Sequence, residues 1–123
     1  MQGERDKQSV QQGLRYNQGK LRWSLVDFPS LESAVRVLEY GATKYEPDNW
    51  KRGLHVKGMV ESLLRHTFAF LNGEDLDAES GQSHIGHVIC NAMYIEYMMN
   101  NKPEFDDRDG TLLRQKELGT GKP

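Results

Sequence analysis

Residues 56–100 read VKGMVESLLRHTFAFLNGEDLDAESGQSHIGHVICNAMYIEYMMN, and this stretch decides the fold. From Val56 to Asn72 it carries Met59, Val60, Leu63, Leu64, Phe68, Phe70 and Leu71 as a broad apolar face, with Glu61, Arg65 and His66 on the other side. Apolar residues returning every three or four positions predict a helix, because 3.6 residues complete one turn. Gly73 is then placed to end it. From Ser83 to about Asn100 the period returns, with Ile85, Val88, Ile89, Ala92, Ile95 and Met99 in one stripe and His84, His87 and Asn91 in an adjacent one. Between the two helices lies Glu74-Asp75-Leu76-Asp77-Ala78-Glu79-Ser80-Gly81, an acidic connection bounded by glycines.

Upstream, Pro29 and Ser30 open another helix: proline suits a first turn, and a serine hydroxyl can cap free N–H groups. Its stripe is Leu31, Ala34, Val35, Leu38, Ala42 and Tyr45, with Glu32 and Glu39 beside it. Pro47 ends it, and a loop from Glu46 to Gly58 holds Asn49, Trp50, Lys51 and Arg52. Arg15 to Pro29 reads as an extended piece docking through Trp23 and Leu25. Residues 1–13 are polar and rich in Gln, which predicts a loose arm. The helical domain is expected over 14–103. Residues 104–123 hold an acidic segment, a short amphipathic helix at Thr111 to Leu118, and a frayed tail. No strand alternation and no internal repeat occur, so the expected class is all-α: a small bundle of three main helices plus a short C-terminal one.

Bulk properties narrow the function. A chain of 123 residues suits one domain. With 37% hydrophobic residues its core is modest, so a homo-oligomer (a dimer or higher) is expected. A net charge of −2 gives no general attraction to DNA, RNA or anionic lipid. The single cysteine, Cys90, sits in an apolar run, allows no intrachain disulfide and reads as a buried small residue in a reduced cytosol. No run approaches the ~20 apolar residues of a membrane span. The polar N-terminal residues have no signal-peptide character, so a cytoplasmic protein is expected.

Chemistry concentrates around the acidic connection. His84 and His87, one turn apart, can present two imidazoles to one ion, with His66 facing them from the preceding helix. The plain alternative is a histidine at the core edge, bonded to a backbone carbonyl. Glu74, Asp75, Asp77 and Glu79 repel one another unless a positive group neutralises them, and a divalent cation is one answer. A solvated acidic turn is the other. Glu39 can reach a metal from the opposing helix or stand at a boundary. Glu61 and Arg65 can pair at i, i+4. Lys20, Lys44, Lys51 and Arg65 are candidates for phosphate contacts. Trp50 or Tyr45 can stack on a base, and Asn49 or Asn91 can supply polar contacts. There is no P-loop, nucleophile elbow or zinc-ribbon spacing.

Taken in order, Arg15-Tyr16-Asn17-x-Gly19-Lys20, Tyr40-Gly41-Ala42-x-Lys44-Tyr45, Asn49-Trp50, Leu64-Arg65-His66, the Gly73–Gly81 block and His84-x-x-His87-x-x-x-Asn91 resemble the phage dATP/dGTP diphosphohydrolase family. The resemblance covers roughly residues 14–98. It implies a phage or prophage origin and action on purine deoxynucleotides. That family is distantly similar to the all-α, MazG-like NTP pyrophosphohydrolases, whose E-x-x-E and E-x-x-D helices hold Mg²⁺ against the triphosphate. Here histidines stand at the E-x-x-D-like positions, and no clean E-x-x-E precedes them. Imidazoles suit Mn²⁺, Co²⁺ or Zn²⁺ better than Mg²⁺. The expected activity is metal-dependent hydrolysis of dATP or dGTP to the monophosphate and pyrophosphate. His66, His84, His87, Asp77 and Glu39 are the candidate ligands, and Glu74, Asp75, Asp77 and Glu79 the candidate catalytic carboxylates. The alternative is a non-catalytic nucleotide-binding phage protein that sequesters a host nucleotide signal.

Overall fold

Three α-helices carry the structure, a computed structural model that describes residues 11, 13–16 and 18–110: α1 (Glu32–Lys44), α2 (Val56–Leu71) and α3 (His84–Asn101). Most of the expected arm, and the helix expected at Thr111 to Leu118, lie outside the described residues. Among the described residues there is no strand, only an isolated antiparallel bridge between Leu76 and Ser83. The protein is all-α, as its periodicity predicts. No helix is long and apolar enough to cross a membrane.

Each helix end has a local cause. Short 3₁₀ turns at Trp23–Leu25 and Phe28–Leu31 precede α1. Ser30 lies inside the second turn and gives its hydroxyl to Asp27. It therefore does not cap α1, as the sequence suggested; Leu31 holds that position without a side-chain bond. Helix α2 ends as expected at Gly73, which takes φ +96°. Gly73 N–H bonds Phe70 O at 3.0 Å and Glu74 N–H bonds Ala69 O at 3.0 Å, the paired closure of a Schellman motif. Ser83 caps α3 by accepting Gly86 N–H at 3.0 Å.

Helix α3 is the centre, flanked by α1 and α2. Gly86 and Cys90 lie against α1: a Cβ at Gly86 would stand 2.5 Å from Ser33 O, and the Cys90 thiol donates to Ala34 O at 3.2 Å. Burial pushes that thiol up to about 11. Ala34, Val37 and Cys90 form one core cluster. Val56, Met59 and Met98 form the other, with Trp50 and Phe105 packed on it. Tyr94 packs against both clusters.

The faces of α3 differ from expectation. Ile85, Ala92 and Met99, read as core, are exposed. The packed line is His84, Asn91 and Met98, seven residues apart, because α3 turns this line toward α2. Asn91 Nδ2 donates to Ser62 Oγ at 3.2 Å and to His87 O at 3.0 Å. On α2, only Val56 and Met59 are buried, and His66 faces α3 rather than away from it. Phe68 and Leu71 are 58% and 71% exposed. Trp23 and Leu25 are 67% and 70% exposed, so the segment before α1 does not dock through them as expected. The helical body continues past residue 103: Phe105 packs in the second cluster, and Asp107 Oδ1 accepts Lys57 N–H in the first turn of α2 at 2.8 Å.

Candidate functional site

The acidic connection is a shaped turn. Asp77 N–H bonds Gln82 O at 2.8 Å, and Gly81 N–H, at φ +72°, returns to Asp77 O at 2.7 Å. Ser80 N–H donates to Asp77 Oδ2 at 2.8 Å. Asp75 O accepts His84 N–H at 2.9 Å, tying the turn to the start of α3. Residue 77 is thereby delivered to the gap where α2 and α3 present their histidines.

In that gap, ligand atoms of His66, Asp77 and His84 all lie within 4.8 Å of one another. His66 Nδ1 and His84 Nδ1 face each other at 2.9 Å. His84 is 4% exposed, and its Nε2 lies 3.3 Å from Glu74 Oε1. A carboxylate can only accept here, so the contact favours a proton on His84 Nε2, and the tautomer with that proton presents the Nδ1 lone pair toward His66. Carboxylates use the same arrangement to hold metal-ligating histidines. Two nitrogens about 2.1 Å from one ion, at right angles to each other, stand about 3 Å apart. The observed spacing therefore fits two cis ligands, and two imidazoles with one carboxylate suit a first-row transition ion.

His87 has another engagement. Its Nε2 is 2.8 Å from Ser80 Oγ, which already accepts Gln82 N–H at 3.1 Å. Its ring stacks flat on His66, centroids 4.2 Å apart and planes 2° off parallel. His84 and His87 thus do not converge on one point as their spacing suggested, because a three-residue step leaves them about 60° apart around α3. Burial, then the neighbouring His87, holds His66 below the ordinary imidazole value. Burial does the same to His87. Burial works to raise the Asp77 carboxyl, but the Ser80 hydrogen bonds and the adjacent histidines outweigh it and keep the group low. Neutral imidazoles beside an ionised carboxylate are the states a cation needs.

Around this group opens a cleft of about 510 Å³ whose walls include Tyr40, Lys44, Arg65, Glu74, Glu79 and Ser80. Lys44 Nζ lies 3.6 Å from Glu79 and over the rings of Tyr40 and Tyr45, at 5.5 and 5.7 Å. Tyr40 first, then Tyr45 and Glu79, raise the Lys44 ammonium above its ordinary value. No Glu61–Arg65 ion pair occurs among the described residues, and Arg65 lines the cleft. Glu39 is exposed on α1 and stands outside the histidine group. Asp75 contributes its carbonyl, and its side chain is not on the cleft wall. Asn91 is buried beneath the site. Asn49 and Trp50 line a second cleft. Lys51 covers Trp50 and Tyr97 at 5.5 and 5.6 Å. Lys20 lies in a third cleft formed by residues 18–24.

Sequence reasoning gave no role to Ser80, Tyr40 or Ser62, all on the wall of the histidine cleft. The i, i+4 spacing of Tyr40 and Lys44 was the available signal for one of them. Ser80 needed the turn geometry, since its contact to His87 exists only once the chain closes at Gly81.

An all-α scaffold thus gathers two histidines, a carboxylate, a lysine and an arginine in one cleft, and three of these residues could hold a metal ion. The family model described as "dATP/dGTP diphosphohydrolase, N-terminal" matches residues 10–108, and the chain belongs to that family. It is also 35% identical over 96 residues to a dATP/dGTP diphosphohydrolase of Salmonella phage PMBT28. That alignment covers 78% of this chain and 33% of the relative, so the chain spans about a third of the length of the curated relative it matches. No solved structure matches it.

Proposed function

We propose that the chain carries a metal-dependent hydrolytic site for purine deoxynucleoside triphosphates, releasing the monophosphate and pyrophosphate. The observation that carries this reading is the pair of imidazole nitrogens facing each other at 2.9 Å beside Asp77. His66, Asp77 and His84 would hold the ion, with Glu74 fixing the His84 tautomer. The bound cation would supply charge neutralisation and acidify water near the phosphates. Lys44 and Arg65 bind and orient the triphosphate oxygens. Glu79, held by Lys44, accepts the proton of the water that attacks the α-phosphorus. The bond from that phosphorus to the bridging oxygen breaks, and pyrophosphate leaves. His87, fixed by Ser80, supports the His66 ring from behind. The activity for which the family is named and the transition-ion character of the ligands support this assignment.

A homo-oligomer remains part of the proposal. Val60, Leu64, Phe68 and Leu71 form an exposed apolar line on the outer side of α2, and a second copy would cover it. The catalytic reading is tested by incubating the full chain with dGTP or dATP and Mn²⁺, Co²⁺, Zn²⁺ or Mg²⁺, with detection of pyrophosphate. Release is expected, fastest with a transition ion and lost in Asp77→Asn. Nucleotide recovered intact with every ion would refute hydrolysis and favour a sequestering role.

A further inference from the structure

The histidine cleft has a neighbour on α1. Tyr40 and Lys44 face the first cleft, whereas Gly41, Ala42 and Tyr45 line a second, of about 540 Å³. One residue is a 100° step around a helix, so the two sets occupy adjacent faces. The second cleft is different in kind. Leu38, Ala42, Tyr45, Trp50, Leu54 and Tyr94 make its apolar and aromatic walls. Its rim is polar, with Glu46, Asp48 and Asn49. An apolar slot with a few polar groups is how proteins usually take a flat organic ring, and this volume lies in the roughly 300–1,000 Å³ range of such sites.

The walls are braced by their own packing. Trp50 packs against Tyr94 at 4.6 Å and edge-on to Tyr97 at 5.0 Å. Asp48 takes the left-handed conformation, φ +64°, and starts the turn that carries Asn49 and Trp50. Both rim carboxylates have a cation on one side: Arg52 lies 3.3 Å from Glu46, and Lys51 lies 3.6 Å from Asp48. Each keeps acceptor capacity for another donor, since a carboxylate has about four lone-pair sites.

We infer that this second cleft receives the purine base of the nucleotide whose phosphates occupy the histidine cleft, and that Asp48 favours guanine over adenine. The inference rests on the proposed hydrolytic site and deepens it. The Lys44 ammonium of the first cleft lies 5.7 Å from the centre of the Tyr45 ring of the second, so the two clefts adjoin at this pair and one nucleotide could reach both. The Watson–Crick edge of guanine offers two donors, N1–H and the 2-amino group, and a carboxylate can accept both. Adenine presents a lone pair at N1, which the same carboxylate repels. Asn49 can serve either purine, since its amide both donates and accepts.

The test is calorimetric binding to the full chain with Mn²⁺, using the α,β-methylene analogues of dGTP and dATP and inorganic tripolyphosphate. The wild type should bind the dGTP analogue at least tenfold more tightly than tripolyphosphate. Tyr45→Ala should weaken both nucleotide analogues about tenfold and tripolyphosphate far less, since the ring also lies beside the Lys44 ammonium. Asp48→Asn tolerates the left-handed backbone. It should cut the preference for the dGTP over the dATP analogue about tenfold, the scale of a hydrogen bond to a charged group. Equal affinity of the wild type for tripolyphosphate and both nucleotides would overturn the base site and leave the phosphate site standing. Losses in Tyr45→Ala that fall equally on tripolyphosphate would also overturn it, as would an unchanged preference in Asp48→Asn. Failure to bind any of the three ligands would remove the hydrolytic reading together with the inference.

Discussion

Ser80 shows how much of the site depends on one hydroxyl. Its backbone N–H fixes Asp77, and its side chain fixes His87, whose ring backs His66. Ser80→Ala keeps the backbone bond to Asp77 and removes the hydroxyl's contacts, those to His87 and Gln82 among them. We expect hydrolysis to fall about ten- to a hundredfold, the usual scale for groups that orient metal ligands. Metal stoichiometry should be unchanged, and Ser80→Thr should restore most of the activity. Full activity in Ser80→Ala would show that His87 needs no orientation. The histidines also make the metal-free protein acid-sensitive. His66 and His87 lie below the ordinary value of 6.5. The unfolded chain therefore binds more protons as pH falls through 6.5, and folding stability declines from that point downward. Asp77 acts in a lower window, where stability is lost as pH falls beneath 3.8. The thermal midpoint, measured with a chelator present, should be flat above about pH 7 and drop as pH falls below 6.5. His66→Gln should reduce that drop; a midpoint that rises on acidification would contradict the assignment. At this scale the sequence singled out His66, His84 and Asp77, and the fold brings their ligand atoms together. It missed which nitrogen each one offers, because a tautomer is set by contacts such as Glu74 and Ser80 that spacing does not reveal.

Helix packing explains why the period was legible and the faces were not. The extents of α2 and α3 follow from their apolar period and from Gly73 and Ser83, local signals that need no tertiary knowledge. Which side of α3 is buried depends on its lying between two partners. One contact is Gly86, whose missing Cβ lets α3 approach the Ser33 backbone. Alanine in an open helical position stabilises by about 1 kcal/mol relative to glycine. At Gly86 the overlap should reverse the sign, a net loss of about 1–3 kcal/mol. Gly58, helical with nothing within 4 Å of an added Cβ, provides the comparison. Urea unfolding should show Gly86→Ala less stable and Gly58→Ala equal or more stable than the wild type. Equal shifts in both would mean that α1 and α3 have room to spare. The break between α1 and α2 was legible because of Pro47, although α2 already starts at Val56, inside the loop expected to reach Gly58. The 3₁₀ turn at Asn49–Arg52 was not, since it depends on Trp50 seating against Tyr94 and Tyr97.

Among the described residues, the molecule leaves apolar surface exposed. Its two small buried clusters leave Val60, Leu64, Phe68 and Leu71 facing outward in one line on α2. The sequence reads these residues as core because periodicity records that a face is buried, not whether its cover belongs to the same chain. Self-association through α2 would account for them. Phe68→Glu should lower the sedimenting mass to that of one chain, with the helical circular dichroism retained. A wild type that already sediments as a single chain would exclude this role for the α2 face.

The central claim is that His66, Asp77 and His84 together hold one catalytic ion, and Mn²⁺ titration calorimetry on chelator-stripped protein tests it most directly. One ion per chain is expected for the wild type, with at least tenfold weaker binding in His84→Ala and in Asp77→Asn, while His87→Ala retains the ion. Absence of a stoichiometric site in the wild type, or equal retention of the ion by all three variants, would contradict it.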